Sequence, residues 1–251
     1  MPAILETHDL SKAYGPFGAL QSLSISVPKG SVYALMGASG AGKTTTIKLL
    51  LNIVPPSAGT ASILGVDSRD IGPDVLSRIG YVSENQALPA RLRVDQFFDY
   101  LRPCYPRWDF DLERELRTNF RLPPTRKIGA LSHGMRLKLA LAGALPFRPE
   151  LLILDEPLSG LDALARDEII ASFIGRDREM SILISSHELD EVERLATHVA
   201  FLHEGRLLFQ GSVAELQEHA RSLQPPPMID AAGRASLRSV FIAMAKTALH
   251  R

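Results

Sequence analysis

The sequence predicts an α/β fold: a parallel sheet, an antiparallel β subdomain at its start, and an inserted helical subdomain. Three observations carry this expectation. A β-type run, Val32–Met36, enters a glycine turn that opens a helix-compatible segment. Strand and helix signals alternate from Leu151 onward. Between about Leu88 and Leu145 the spacing is helical.

Taken in order, residues 3–36 alternate the short β-type runs Leu23–Val27 and Ser31–Met36 with turn residues Gly15, Pro16, Pro28, Lys29 and Gly30. Thr44–Ile53 has helical spacing, and Thr60–Leu64 is another β-type run. In the insert, Val94, Phe97, Phe98 and Leu101 share one helical face. Leu151–Leu154 then reads as a strand, Asp162–Ile174 as a helix, Ile182–Ser185 as a strand and Glu188–Ala196 as a helix. Val199–Phe209 reads as a hairpin turned at Glu204-Gly205-Arg206. After Pro225-Pro226-Pro227, Leu237, Val240, Phe241, Met244, Ala245, Ala248 and Leu249 fall on one face, with Arg238, Lys246 and Arg251 elsewhere. That face is expected to cover its own domain or a twin subunit rather than lie in a membrane interface. The expected division is 1–220, with the helical subdomain at approximately 86–147, followed by a proline-containing linker and amphipathic helix over 221–251.

Composition narrows the field further. With 251 residues and 45% apolar content, the chain can fill a sizeable core. Twenty-eight basic residues balance 28 acidic ones, so no overall field advertises nucleic acid or a polyacidic partner. The single cysteine, Cys104, allows no internal disulfide, and a reducing compartment with Cys104 as a partly buried apolar residue is expected. The opening residues lack a secretory pattern, Glu6 and Asp9 breaking it early. The most apolar later stretches, Leu139–Leu145 and Val199–Leu202, fall short of the roughly 20 residues of a spanning helix.

Gly37-Ala38-Ser39-Gly40-Ala41-Gly42-Lys43-Thr44 matches G-x-x-x-x-G-K-[ST] in full, the pattern of a loop that cradles the phosphates of ATP. Its glycines let backbone N–H groups approach phosphate oxygens, Lys43 reaches the β- and γ-phosphates, and Thr44 offers a hydroxyl to Mg²⁺. Leu151-Leu152-Ile153-Leu154-Asp155-Glu156 places two carboxylates at the carboxyl end of a buried strand. Asp155 suits the metal, and Glu156 suits the proton of an attacking water.

At this point the chain resembles the ATP-binding subunits of ABC transporters, over about residues 3–215, and the resemblance implies a P-loop NTPase fold of that kind. Leu131-Ser132-His133-Gly134-Met135 resembles the family signature, which binds the γ-phosphate of ATP held by the opposite subunit; Ser132 and Gly134 match, whereas His133 and Met135 depart. Ser132 as a helix cap is the plainer reading. Ser159-Gly160-Leu161-Asp162 resembles the loop that lies across the dimer interface, with Asp162 also suited to cap a helix. His187 resembles the switch histidine and Tyr14 the ring that stacks on adenine, against structural readings for both. In Gly80-Tyr81-Val82-Ser83-Glu84-Asn85-Gln86, Glu84 holds the position of the family's metal-water glutamine, and Gln86 is the alternative if the loop aligns two residues later.

The resemblance implies ATP held by Gly37, Ser39, Gly40, Ala41, Gly42, Lys43, Thr44 and Thr45, and Mg²⁺ held by Thr44, Asp155 and Glu84. It implies catalysis by Glu156, His187 and Lys43, and contacts to ATP from Tyr14, Asp162, Ser132 and Gly134. Two ATPs would lie between two such subunits, most simply a homodimer, driving a separate integral membrane permease from the cytoplasmic face. The short insert and the run Tyr105-Pro106-Arg107-Trp108-Asp109 look like bacterial ABC-2-type export subunits. The competing expectations are a non-transport ATPase of this family acting on ribosomes, DNA or iron-sulfur assembly, and a regulatory ATP-binding partner without useful turnover.

Overall fold

A computed structural model of the chain describes residues 2–162, 166–170, 180–188, 193–223, 226–229 and 235–248. It comprises two units, residues 1–71 with 181–251, and residues 72–180.

In the first unit, β1 (Ala3–Tyr14) forms a hairpin with β2 (Phe17–Leu23), and on its other side pairs antiparallel with β5 (Ala58–Ile63). The short strands β3 (Ser26–Pro28) and β6 (Val66–Asp67) complete this antiparallel sheet. Its buried apolar residues include Leu5, Leu10, Leu20, Leu23, Val27 and Ile63. The run Leu23–Val27 is not one strand, because the chain breaks between β2 and β3. There the Thr7 hydroxyl donates to Leu23 O at 2.8 Å and accepts from Ile25 N at 3.0 Å, replacing the missing ladder contacts.

The parallel strands of this unit surround β4 (Val32–Met36). It lies between β9 (Ser181–Ser186) and β10 (His198–His203), and β10 turns through Glu204-Gly205 into antiparallel β11 (Arg206–Ser212). Ala34, Leu35 and Met36 are fully buried, as expected of a strand covered on both faces. Burial of a side chain such as Leu35 contributes about 1.5–3 kcal/mol. Beyond β4 the glycine turn opens α1 (Lys43–Leu50). The helix Val213–Ala220 starts with a reciprocal cap between Ser212 and Glu215. The helix Leu237–Ala248 buries Leu237, Val240, Ala243 and Met244, and the Phe241 ring meets Phe201 edge-on at 5.4 Å. Its own domain therefore covers much of this apolar face.

In the second unit, β7 (Ile79–Ser83) and β8 (Leu151–Asp155) are parallel neighbours, after the single turn α2 (Pro73–Leu76). The expected helices follow: α3 (Val94–Leu101), α4 (Phe110–Asn119) and α5 (His133–Ala144). Val94, Phe97 and Phe98 are buried on one face of α3, and both α3 and α4 pack on α5. The run Tyr105–Asp109 acts as a clamp at the start of α4. Tyr105 stacks on Phe147 at 3.9 Å, Asp109 accepts from Leu112 N at 2.8 Å, and Arg148 reaches the same carboxylate at 2.7 Å.

Cys104 differs from expectation: it is exposed. It ends a 3₁₀ turn, Arg102–Cys104, and its thiol faces Tyr100 O at 3.6 Å rather than the apolar face of α3. Parts of the segments Asp162–Ile174 and Glu188–Ala196, and Pro225, Leu249 and Arg251, lie outside the described residues. Among the described residues, no helix is long and apolar enough to cross a membrane.

Candidate functional site

The glycine turn of the first unit is held by contacts that leave little space for side chains. A Cβ on Gly37 would lie 2.3 Å from Leu202 O, and one on Gly42, at φ 104°, would lie 2.8 Å from Ala19 O. Gly205 supports the turn from beneath, donating from N to Ala41 O at 3.1 Å while its own carbonyl accepts from Gln21 N at 2.8 Å. Lys43 is buried, and its ammonium donates to Gly37 O at 2.7 Å and Ala38 O at 3.0 Å. Ser39, Gly40 and Thr44 are exposed, and Thr45 is half-buried. No side chain caps the start of α1, so its first-turn N–H groups point toward the turn.

Sheet register brings His187 to this turn. Met36 pairs with Ser186, and Gly37 N donates to Ser186 O at 3.4 Å, so Gly37 and His187 leave adjacent strands at one edge. The His187 side chain is exposed, with Nε2 3.8 Å from Glu188 Oε1. At the end of β1, Tyr14 is 46% exposed, and the Lys12 ammonium lies over its ring 5.1 Å from the centroid.

In the second unit, Ser83 pairs with Asp155, and Glu84 N donates to Asp155 O at 3.0 Å. Glu84, Asp155 and Glu156 therefore cluster at one strand edge. Asp155 is buried and Glu156 half-buried. Glu156 has φ 52°, a left-handed conformation that non-glycine residues adopt at a cost of about 1–3 kcal/mol. Tyr81 was not singled out from the sequence. Burial first, and the Asp155 charge besides, push its phenol up against an opposing hydrogen bond with Ser83.

Ser132 caps α5, its hydroxyl accepting from Met135 N at 3.3 Å, and Gly134 sits in the first turn. Glu84 Oε1 and His133 Nε2 both approach Gly160, each 4.0 Å from where its Cβ would be. The structure thus gathers Glu84, the start of α5 and the Ser159–Asp162 turn within one unit. Asp162 is exposed, and its carbonyl accepts from Arg166 N at 3.1 Å, which fits a helix start. Gln86 is exposed and donates from N to Ser83 O. From the sequence Gly205 reads only as part of the hairpin turn Glu204-Gly205-Arg206, and nothing marks Ala19; their place beside the glycine turn comes from the fold. Among the described residues, no group of three or more His, Cys, Asp or Glu side chains is arranged to hold a metal.

A family described as ABC transporter matches residues 20–159. The ABC transporter ATP-binding protein YtrB of Bacillus subtilis is 32% identical over 88% of this chain and 76% of its own length. The bacitracin transport ATP-binding protein BcrA of Bacillus licheniformis is 35% identical over 83% of this chain and 69% of its own. Among solved structures, an ATP-binding subunit of an ABC transporter, 28% identical, superposes with a TM-score of 0.83 and covers 96% of this chain and 99% of its own.

Proposed function

The chain belongs to the family of ABC transporter ATP-binding subunits and is an ATPase coupled to transport, and on that premise we propose that two copies close around two Mg-ATP to drive a membrane-spanning permease in export. The observation that carries this is the glycine turn itself. Its close approaches at Gly37 and Gly42 fix a backbone path that only glycine allows, with Lys43 folded into it and α1 opening behind it. Such a cradle fits a polyphosphate.

The proposed roles follow from chemistry. In the first unit, the turn residues Gly37–Thr44 and Thr45 bind the phosphates, Tyr14 carries the adenine, and His187, one residue beyond Ser186 on the edge next to Gly37, contacts the γ-phosphate. In the second, Glu156 takes the proton of the attacking water and Asp155 offers an oxygen suited to a metal; in the first, Thr44 offers a hydroxyl from α1. When bound, Mg²⁺ neutralises charge on the phosphate oxygens. Glu84 fills the metal-water position: it is tied to Asp155 and faces Gly160, while Gln86 is exposed. Ser132 and Gly134 serve the ATP of the second copy from the start of α5, with Asp162 on the adjoining turn. Residues 1–220 form the motor and 221–251 its covering tail.

Export rests on the likeness to BcrA, which is named for bacitracin transport. The subunit acts at the cytoplasmic face, because a permease must receive its ATP-driven closure there. Purification of the tagged chain from detergent-solubilised membranes tests this reading. An integral membrane protein with several spanning helices should be recovered with it. Recovery of ribosomes or DNA instead would overturn it.

A further inference from the structure

The helical insert carries a groove of about 570 Å³ that the ATPase reading leaves without a role. Its wall is one face of α4, where Phe110, Glu113, Arg114 and Arg117 recur at helical spacing, continued by Arg121 just past the helix and closed by Arg102. Four guanidiniums thus line the groove with one carboxylate. Glu113, whose side chain is 4% exposed, serves two of them, taking Arg102 at 2.7 and 2.9 Å and Arg117 at 2.9 Å. Arg117 also lies over the ring of buried Phe98, 5.0 Å from its centroid, while the other carboxylate partners are on the outside. Asp99, beside Arg102, is 65% exposed, and Asp111, beside Arg114, is 89% exposed.

Those outer pairs are screened by water and contribute little, so an anion entering the groove displaces them at small cost. A helix C-terminus attracts cations by itself, which accounts for Arg117 and Arg121. Arg102 is held instead by Glu113, and Arg114 has, among the described residues, only the exposed pair with Asp111. The Arg102 guanidinium lies 5.5 Å from the centroid of the Phe110 ring, which is 59% exposed, so positive charge stands beside an open aromatic platform.

We propose that this groove binds a phosphate ester, with guanidinium forks of Arg102, Arg114, Arg117 and Arg121 holding its phosphate and Phe110 holding its apolar or aromatic body. Planar forks match phosphate oxygens, and the volume is that of a small-molecule site rather than of a bare ion. A soluble phosphoester and a phospholipid headgroup share this chemistry.

Trp108 reports on the groove. It is the sole tryptophan, and its indole N–H donates to Glu113 Oε2 at 2.9 Å, one carboxylate away from Arg102 and Arg117. The test is a titration of the full chain with phenyl phosphate, read by Trp108 fluorescence, with saturating Mg-ADP occupying the glycine turn. A saturable change is expected, with affinity about tenfold or more weaker in Arg114→Gln/Arg121→Gln. ATPase turnover of this variant should be unchanged, showing that it is folded. In a second arm, flotation with phosphatidylglycerol vesicles is compared with phosphatidylcholine vesicles. Flotation lost in the double variant and absent with phosphatidylcholine assigns the lipid headgroup; a fluorescence response without such flotation assigns the soluble ester. Absence of both, equal behaviour of the double variant, or a response to benzoate matching that to phenyl phosphate overturns the proposal.

Discussion

Glu84, one residue past the end of β7, is joined to Asp155, the last residue of its parallel neighbour β8, by a 3.0 Å hydrogen bond from Glu84 N to Asp155 O. A carboxylate at position 84 adds an oxygen and a negative charge at the edge that presents Asp155 and Glu156. Glu84→Ala should raise the Mg²⁺ concentration for half-maximal ATPase about tenfold. Gln86→Ala should leave it unchanged. The reverse pattern would move the role to Gln86.

Glu156→Gln keeps the shape of the side chain but removes its basicity. ATP affinity should be retained while phosphate release slows about hundredfold or more. Equilibrium nucleotide binding and single-turnover hydrolysis separate the two effects, and normal turnover would remove Glu156 from its role.

At Gly37 the constraint is steric, because a methyl group would meet Leu202 O at 2.3 Å. Gly37→Ala should lower stability by about 1–3 kcal/mol and abolish measurable ATP binding, since the turn must shift to relieve the contact. Urea unfolding gives the first number and nucleotide titration the second. A fully stable variant with normal affinity would show that the turn is not fixed there.

Glu113 ties stability to pH. Burial raises its carboxyl pKa, but hydrogen bonds from Arg102, Trp108 and Arg117 outweigh that and hold it below the ordinary value of 4.5. A lowered folded value means the stabilisation is present in full above about pH 4.5 and is lost as pH falls through the folded value. Glu113→Gln should cost about 3 kcal/mol at pH 7 by leaving two guanidiniums without their buried partner. Unfolding followed at Trp108 should show wild-type stability falling below about pH 4.5, with the variant losing that part of the dependence.

What could be read from the sequence was what local pattern encodes. Gly37–Thr44 has fixed residue types at fixed offsets, and Leu151–Glu156 is an apolar run ending in acid, so both strand ends were legible. The helical face of Val94, Phe97 and Phe98 was legible for the same reason. Glu113 was not, since a glutamate on a charged helix reads as surface, and only the convergence of Arg102, Trp108 and Arg117 makes it an interior residue. The break at Ser24 was hidden because Thr7, far away in sequence, bridges it. Cys104 misled because composition favours burial, whereas a tight turn turned it outward.

The contact between Gly205 and Ala41 bears on how the protein is made. β4 is flanked only by strands that leave the ribosome much later, β9 and β10, and the turn that follows it rests on Gly205. A nascent chain that has exposed Gly37–Thr44 therefore still lacks the neighbours that hold the turn, Leu202 beside Gly37 and Gly205 beneath Ala41. Those supports arrive only with the last third of translation.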